Sequence, residues 1–296
     1  MKPAVAAPPC AASGRMKTSK EEGRMFRCPV CGRPLAQEGK SYRCAGRHTY
    51  DIAAQGYVNL LLPQKKSSAD PGDNAEMIAA RTRFLLSGAY RPLSDAVNRL
   101  LLSQAGPAPA LLDLGCGEGY YTGRLWDAFC EAGRTAALYG IDLSRRALRH
   151  AARFCLGARF AVASLYELPF ADGSFDLAYN LFAPICPQEN ARVLRPGGKL
   201  LAVYPAAKHL YELKSILYEH PYLNEDGIRR IEGFTPLHSE RLTYSFSCET
   251  PELLHALYKM TPYYYRTPAA GAERLDALDR LDITADFSWT LYEREG

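Results

Sequence analysis

The segment ALLDLGCGEGYYT, residues 110–122, constrains the fold of this chain more than any other stretch. A short apolar run stops at three glycines spaced G-x-G-x-G (Gly115, Gly117 and Gly119), and a helix-compatible segment follows. Strand, glycine turn and helix in succession make one unit of a parallel sheet, with backbone left bare where a ligand can approach it. The pattern then repeats. YGIDLS (139–144) is a second strand ending near Asp142, and RFAVAS (159–164), FDLAYNLF (175–182) and KLLAVYPA (199–206) supply three more. Helical stretches are expected near 144–155 and 188–195. Two later strand-like runs, RLTYSFSCE (241–249) and ADFSWTLYE (285–293), finish the sheet, with a helix opened by Thr250-Pro251-Glu252 between them. An α/β doubly wound sheet is the expectation.

The turn differs from the dinucleotide pattern G-x-G-x-x-G, and no Lys-Ser/Thr pair follows it to cradle a phosphate. Its form resembles motif I of S-adenosylmethionine (SAM)-dependent methyltransferases. In that setting Gly115 and Gly117 let the backbone come against the amino-acid part of the cofactor, and Gly119 lets the next helix pack closely. Asp142, twenty-nine residues after Asp113, is placed to accept hydrogen bonds from two ribose hydroxyls. LRPGGKL (194–200) before the fifth strand fits the same class. The expected fold is a Rossmann-like class I SAM-dependent methyltransferase, with a Rossmann domain for another nucleotide as the competing reading. Asp113, Gly115, Gly117, Glu118, Gly119 and Asp142 are the cofactor candidates in this stretch.

Ahead of that domain stands a different chemistry. Cys28-x2-Cys31-x12-Cys44-x3-His48 brings three thiolates and an imidazole onto two tight turns, a donor set that suits tetrahedral zinc. Pro29 and Gly32 favour the first turn, and Gly46 is expected to give the second its freedom. With all four positions filled, the metal should be structural, in a small zinc-ribbon-like domain too short to fold without it. The other six of the nine cysteines lie far apart, as in a reducing compartment rather than a disulfide framework.

Charge divides along the same line. Residues 1–66 carry twelve Lys+Arg against four Asp+Glu, whereas residues 67–296 carry a net −4. Arg24, Arg27, Arg33, Lys40, Arg43 and Arg47 surround the metal ligands, Lys65 and Lys66 follow, and Phe26, Tyr42 and Tyr50 are interleaved. Cations for phosphates and aromatic faces for bases are the parts of an RNA-binding module, although in so small a unit the aromatics could equally be its core. The expected organisation is a disordered basic arm (1–25), a zinc-binding RNA-recognition domain (26–62), a linker and first helix (63–90) and the methyltransferase domain (91–296). Lys65-Lys66-Ser67-Ser68 reads as a hinge, and DPGDNAEM (70–77) as a turn into a helix. No run of eighteen apolar residues exists to cross a membrane, and the opening residues lack an apolar signal core, so a cytoplasmic location is expected. Met16 and Met25 are alternative starts to Met1.

The order CPVC, C-x3-H-x-YD, GYVNLL, DPGD-x-AEM-x-x-AR, LDLGCGEGYYT, LPF-x-D-x-S-FD, VLRPGG and HL-x-ELK resembles the bacterial 23S ribosomal RNA guanine-N1 methyltransferases from about Phe26 onward. The resemblance implies methyl transfer from SAM to N1 of a guanine in a hairpin loop near the peptide exit tunnel. It also implies a homodimer and, in some members, macrolide resistance. By its motifs Cys28, Cys31, Cys44 and His48 match zinc ligands. Gly117 and Glu118 match SAM contacts, as do Tyr90 in AYRPL and His209 in KHLYELK. A base to take the N1 proton is not legible; Asp73, Glu76 and Glu118 are candidates. Two other readings stand beside this one. Cys186 in LFAPICP could serve a pyrimidine-C5 methyltransferase, although Ile185 interrupts the Pro-Cys pair such enzymes use. A small-molecule methyltransferase could carry the zinc head as a docking module.

Overall fold

The computed structural model describes residues 25–62 and 72–296; the expected basic arm up to residue 24 and the Lys65–Ser68 hinge lie outside the described residues. The described residues form eleven strands and eight α-helices. The head contributes β1 (Ala36–Glu38), β2 (Ser41–Arg43), β3 (Thr49–Asp51) and β4 (Tyr57–Asn59). Helices α1 (Ala75–Leu86) and α2 (Arg91–Gln104) lead into β5 (Ala110–Leu114), α3 (Tyr120–Glu131), β6 (Ala137–Asp142), α4 (Arg145–Phe154) and β7 (Arg159–Val162). Then follow β8 (Phe175–Leu181), α5 (Pro187–Val193), β9 (Leu194–Pro205), α6 (Tyr211–Leu217), β10 (Phe234–Cys248), α7 (Pro251–Lys259), α8 (Ala269–Asp276) and β11 (Leu281–Arg294).

The main sheet runs β10-β11-β9-β8-β5-β6-β7-β4. Its six strands from β9 to β4 are parallel, and β11 and β10 add antiparallel to the β9 side. Chain order reverses between β5 and β8, so the crevice at their carboxyl ends is where such a sheet binds ligands. Strand residues alternate between two cores. In β5, Leu111 belongs to the layer with α2, α3 and α7, while Leu112 and Leu114 belong to the layer that includes the zinc head.

The expected doubly wound sheet is present, with three differences. Strand β9 begins at Leu194, not 199, because Leu194 pairs with Phe175 and Lys199 with Leu177, so the residues between bulge out of a continuous ladder. Strand β10 begins at Phe234; its solvent-facing edge carries no apolar alternation to mark it. Third, GYVNLL, expected within the zinc head (26–62), also joins the main sheet: β4 pairs in parallel with β7, Tyr57 opposite Phe160 and Asn59 opposite Val162, and covers that sheet edge.

That pairing joins head and sheet. Phe26 is 2% exposed and stacks on Phe170 (centroids 5.2 Å) while meeting Tyr42 and Tyr139 edge-on at 5.3 and 5.5 Å. Cys28, Leu35 and Cys44 share one core with Tyr139, Phe175 and Ala178 of the sheet. Burying a ring the size of Phe26 stabilises by roughly 2–3 kcal/mol, so this contact ties the folding of the two units together. Residues 26–62 thus share both a sheet and a core with residues 91–296.

Candidate active site and zinc centre

Two turns hold the four metal donors. In the first, Gly32 N–H donates to Cys28 O (2.8 Å) and Cys28 N–H to Arg33 O (2.9 Å). In the second, between β2 and β3, Arg47 N–H donates to Cys44 O (2.9 Å). The ligand atoms of Cys28, Cys31, Cys44 and His48 lie within 4.8 Å of one another. Cys31 and Cys44 Sγ are 3.7 Å apart, and His48 Nδ1 is 3.5 and 3.4 Å from Cys28 and Cys44 Sγ. A tetrahedron with metal–sulfur bonds of about 2.3 Å has edges of about 3.8 Å, so the cage has the size zinc requires. These residues are positioned for zinc.

Gly46 has a different role from the one expected. Its φ is not positive; the left-handed residue of that turn is Arg47 (φ 65°). A Cβ on Gly46 would stand 3.3 Å from Cys31 Sγ, 3.4 Å from His48 Nδ1 and 3.5 Å from Cys44 Sγ, so glycine is there for space. Tyr50 places its hydroxyl 3.1 Å from Cys28 Sγ. Burial opposes ionisation of Cys28, but the Tyr50 hydroxyl and the amides of Val30 and Cys31 outweigh it and hold the thiol down at about 6. The interleaved aromatics are therefore structural: Phe26 and Tyr42 are core, and Tyr50 supports a ligand. Of the cations, Arg33, Lys40, Arg43 and Arg47 are exposed and Arg27 half-buried; Arg43 meets Glu38 at 3.4 Å and Arg27 reaches Gly32 O at 3.3 Å. Lys65 and Lys66 lie outside the described residues.

The glycine turn sits at the carboxyl end of β5. Gly117 N–H donates to Asp142 Oδ2 (3.0 Å) and Ser144 N–H to Asp142 Oδ1 (2.8 Å), so one carboxylate braces the turn and the start of α4 together. Gly119 (φ 86°) caps α3, and a Cβ there would stand 2.8 Å from Ala151 of α4. A Cβ on Gly115 would strike Ala183, 2.6 Å away on the loop after β8. Asp113 does not face this crevice. It is 2% exposed and accepts from Thr122 Oγ1 at 2.6 Å, and burial raises its pKa to about 7. Its place is beneath the turn, anchoring α3.

The DPGD segment packs on the same corner, where Ser144 Oγ donates to Asp73 O (3.2 Å). Arg81 of α1 pairs with Asp73 and lies 3.6 Å from Glu118 Oε2. Glu118 is buried, and desolvation raises its pKa against the pull of Arg81. Its Oε2 and the Tyr121 hydroxyl are buried without a hydrogen-bond partner. Orphaned polar atoms beside bare glycine backbone fit a polar, cationic ligand such as SAM. Glu76 turns away, to Lys259 at 2.6 Å.

The two remaining cofactor candidates come from distant parts of the chain. Tyr90, the N-cap of α2, and His209, before α6, meet with the hydroxyl 3.1 Å from Nε2. Leu210, in a left-handed conformation (φ 55°), holds the bend after His209. Asp286 of β11 fixes this bend through Lys208 N–H (2.8 Å) and is itself held by Arg241 and Thr243. Arg81, Tyr121, Leu210 and Asp286 had no signal strong enough to single them out, although Arg81 closes the DPGD-x-AEM-x-x-AR block. Cys186, the N-cap of α5, has its Sγ 3.9 Å from Gln188 Oε1.

A glycine-rich turn at the switch point of a parallel sheet, with an acid ending the next strand, is where such a fold binds a nucleotide-bearing cofactor. A family model described as "Methyltransferase domain" matches residues 111–198, which makes the chain a SAM-dependent methyltransferase, and one described as "RlmA, N-terminal" matches residues 26–69. A 23S rRNA (guanine(748)-N(1))-methyltransferase of Streptomyces fradiae is 41% identical over 197 residues, 66% of this chain and 68% of that protein. A putative 23S rRNA (guanine-N(1)-)-methyltransferase of Bacillus subtilis (strain 168) is 35% identical over 272 residues, 88% of this chain and 94% of that protein. A third, of Micromonospora griseorubida, is 43% identical over 64% of this chain and 68% of that protein. The chain belongs to the 23S rRNA (guanine-N1)-methyltransferase family.

Proposed function

We propose that this chain methylates N1 of a guanine in a hairpin loop of 23S ribosomal RNA, and that the zinc head grips the RNA. The observation that carries this reading is the zinc ribbon built into the edge of a SAM-dependent methyltransferase sheet, in a chain 35–43% identical to proteins named for that reaction. When bound, SAM supplies an electrophilic methyl group. Gly115, Gly117 and Glu118 hold its amino-acid end, Asp142 its ribose, and Tyr90 and His209 close the far side; Gly119 and Asp113 shape the turn. Guanine N1 lies on the Watson–Crick edge and is hidden in a stem, which is why an unpaired loop is the substrate.

Arg33, Lys40 and Arg47 of the head offer phosphate contacts, with Arg27, Arg43, Lys65 and Lys66 beside them in the sequence. The catalytic body adds to them despite its net negative charge. Between Asp142 and Glu167 the chain carries five arginines and no acid, and Arg145, Arg149 and Arg153 are exposed on α4. Arg145 and Arg146 sit in the first turn of that helix, where the macrodipole disfavours cations, a placement that serves a polyanion better than it serves the helix. A homodimer is the assembly that the family resemblance implies.

The test is mass-spectrometric mapping of methylated nucleosides in large-subunit RNA from cells with and without the chain. Loss of one N1-methylguanosine, with loss of a reverse-transcription stop at its position, is expected. Loss of a methylated pyrimidine or metabolite instead would overturn the guanine reading.

A further inference from the structure

We infer that Phe182 is the platform on which the target guanine stacks once it leaves the RNA; the inference rests on the guanine reading above. Phe182 follows the last residue of β8, at the carboxyl edge of the strand beside β5, so it stands at the switch point itself. Its neighbour Ala183 lies against Gly115, which places this loop on the cofactor turn. The Phe182 ring is 42% exposed and tilts against Phe287, centroids 5.6 Å apart. Phe287 is fully buried and touches both Tyr90 (5.0 Å) and His209 (4.5 Å). The exposed ring is thus backed by a rigid aromatic row that ends at the proposed cofactor wall.

The backbone supports the same conclusion. Phe182 has φ 67°, and among the described residues it is the one exposed large apolar residue in a left-handed conformation. A bulky residue pays for that conformation with strain, which persists where the surroundings over-determine it and which clusters at functional sites. Here the surroundings are explicit. Phe182 N–H donates to Val203 O (3.3 Å), and buried Asn180 ties the loop by accepting from Ala183 N–H and donating to Pro184 O, both at 3.2 Å. A solvent-facing side chain gains little folding energy from this geometry. An extruded purine is held by stacking on aromatic or apolar faces, and in the head Phe26 and Tyr42 are core while Tyr50 is engaged with the ligand Cys28.

The experiment uses the full chain, tritiated SAM and unmodified large-subunit ribosomal RNA from cells lacking the chain. Phe182→Ala should lower kcat/KM for RNA roughly ten- to hundredfold, the range expected for one lost base–aromatic stack, with SAM affinity unchanged. Phe182→Tyr should keep activity within a few-fold of wild type. Phe182→Gly should be as impaired as alanine yet melt at or above the wild-type temperature, since glycine relieves the left-handed strain. Wild-type rates in the alanine and glycine variants would overturn the proposal. So would equal loss in the tyrosine and alanine variants with lowered melting, which assigns Phe182 to packing on Phe287. The methylated nucleoside is identified separately: a pyrimidine product with the alanine defect intact would sink the guanine reading and leave the stacking role standing.

Discussion

The Tyr90 hydroxyl and His209 Nε2 meet at 3.1 Å across 119 residues of chain. On the other side of the ring, His209 Nδ1 accepts from Asp286 N–H at 3.3 Å. The imidazole therefore carries its proton on Nε2 and donates it to the Tyr90 oxygen, which leaves the tyrosine O–H to point elsewhere. Tyr90→Phe should weaken SAM binding about tenfold by calorimetry, because that donor is lost. It should also lower stability by about 1–3 kcal/mol, since the buried Nε2–H then has no acceptor. Unchanged SAM affinity would place the pair outside the cofactor site.

The same ring gives a pH dependence. Burial, aided by Lys214 and opposed by Asp286, lowers His209 from the ordinary 6.5 to about 3. Between those values the unfolded chain binds a proton that the native state does not. The stabilisation that neutral His209 contributes is therefore complete above pH about 6.5 and is lost as pH falls toward 3. Subtracting the urea-unfolding curve of His209→Gln from that of wild type cancels other titrating groups. The difference should fall with acid across this window; a flat difference would show an imidazole that titrates normally in the native state.

The central sheet was legible because strand, glycine turn and helix carry a local pattern. What eluded reading is what the chain brings together over distance. Strand β4 is three residues long and finds its partner a hundred residues later, so GYVNLL gives no local sign of sheet membership. Tyr90 and His209 look like ordinary core until both ends of the pair are placed. Phe182 is hidden for the opposite reason, since a bulky side chain argues against the left-handed backbone that it adopts.

Gly46 separates two kinds of glycine requirement. A turn glycine needed for φ resists every substitution, whereas one needed for room is sensitive to the first added carbon. Gly46→Ala should fold and keep SAM affinity. Its zinc affinity should drop by up to roughly tenfold, read by competition with a chromophoric chelator, because the methyl presses on Cys31 Sγ and lies against His48 Nδ1 and Cys44 Sγ. Wild-type zinc affinity would mean the cage yields without cost.

Zinc removal should reach the catalytic sheet. With Phe26, Cys28, Leu35 and Cys44 in one core with Tyr139 and Phe175, chelation should lower the melting temperature of a single transition. A separate early transition would reveal an autonomous head. Phe26→Ala makes the same point with metal present and should cost about 3–5 kcal/mol in urea unfolding.

The two cationic surfaces can be weighed against each other by salt. Each phosphate neutralised on a single strand adds about 0.7 to the slope of log affinity against log salt. Replacing Arg33, Lys40 and Arg47 together by alanine should therefore reduce the slope by about 2, and so should replacing Arg145, Arg149 and Arg153. Filter binding of the large-subunit RNA hairpin between low and physiological salt measures both. Equal reductions would mean that the RNA bridges head and α4. A reduction for the head alone would leave α4 as a solvated face, and a reduction for neither would remove the basic surfaces from RNA recognition. The bridge is the expected result, because β4 joins the head to the sheet edge on which α4 also packs: a Cβ on Gly56, in the turn before β4, would stand 4.0 Å from Ala152 of α4.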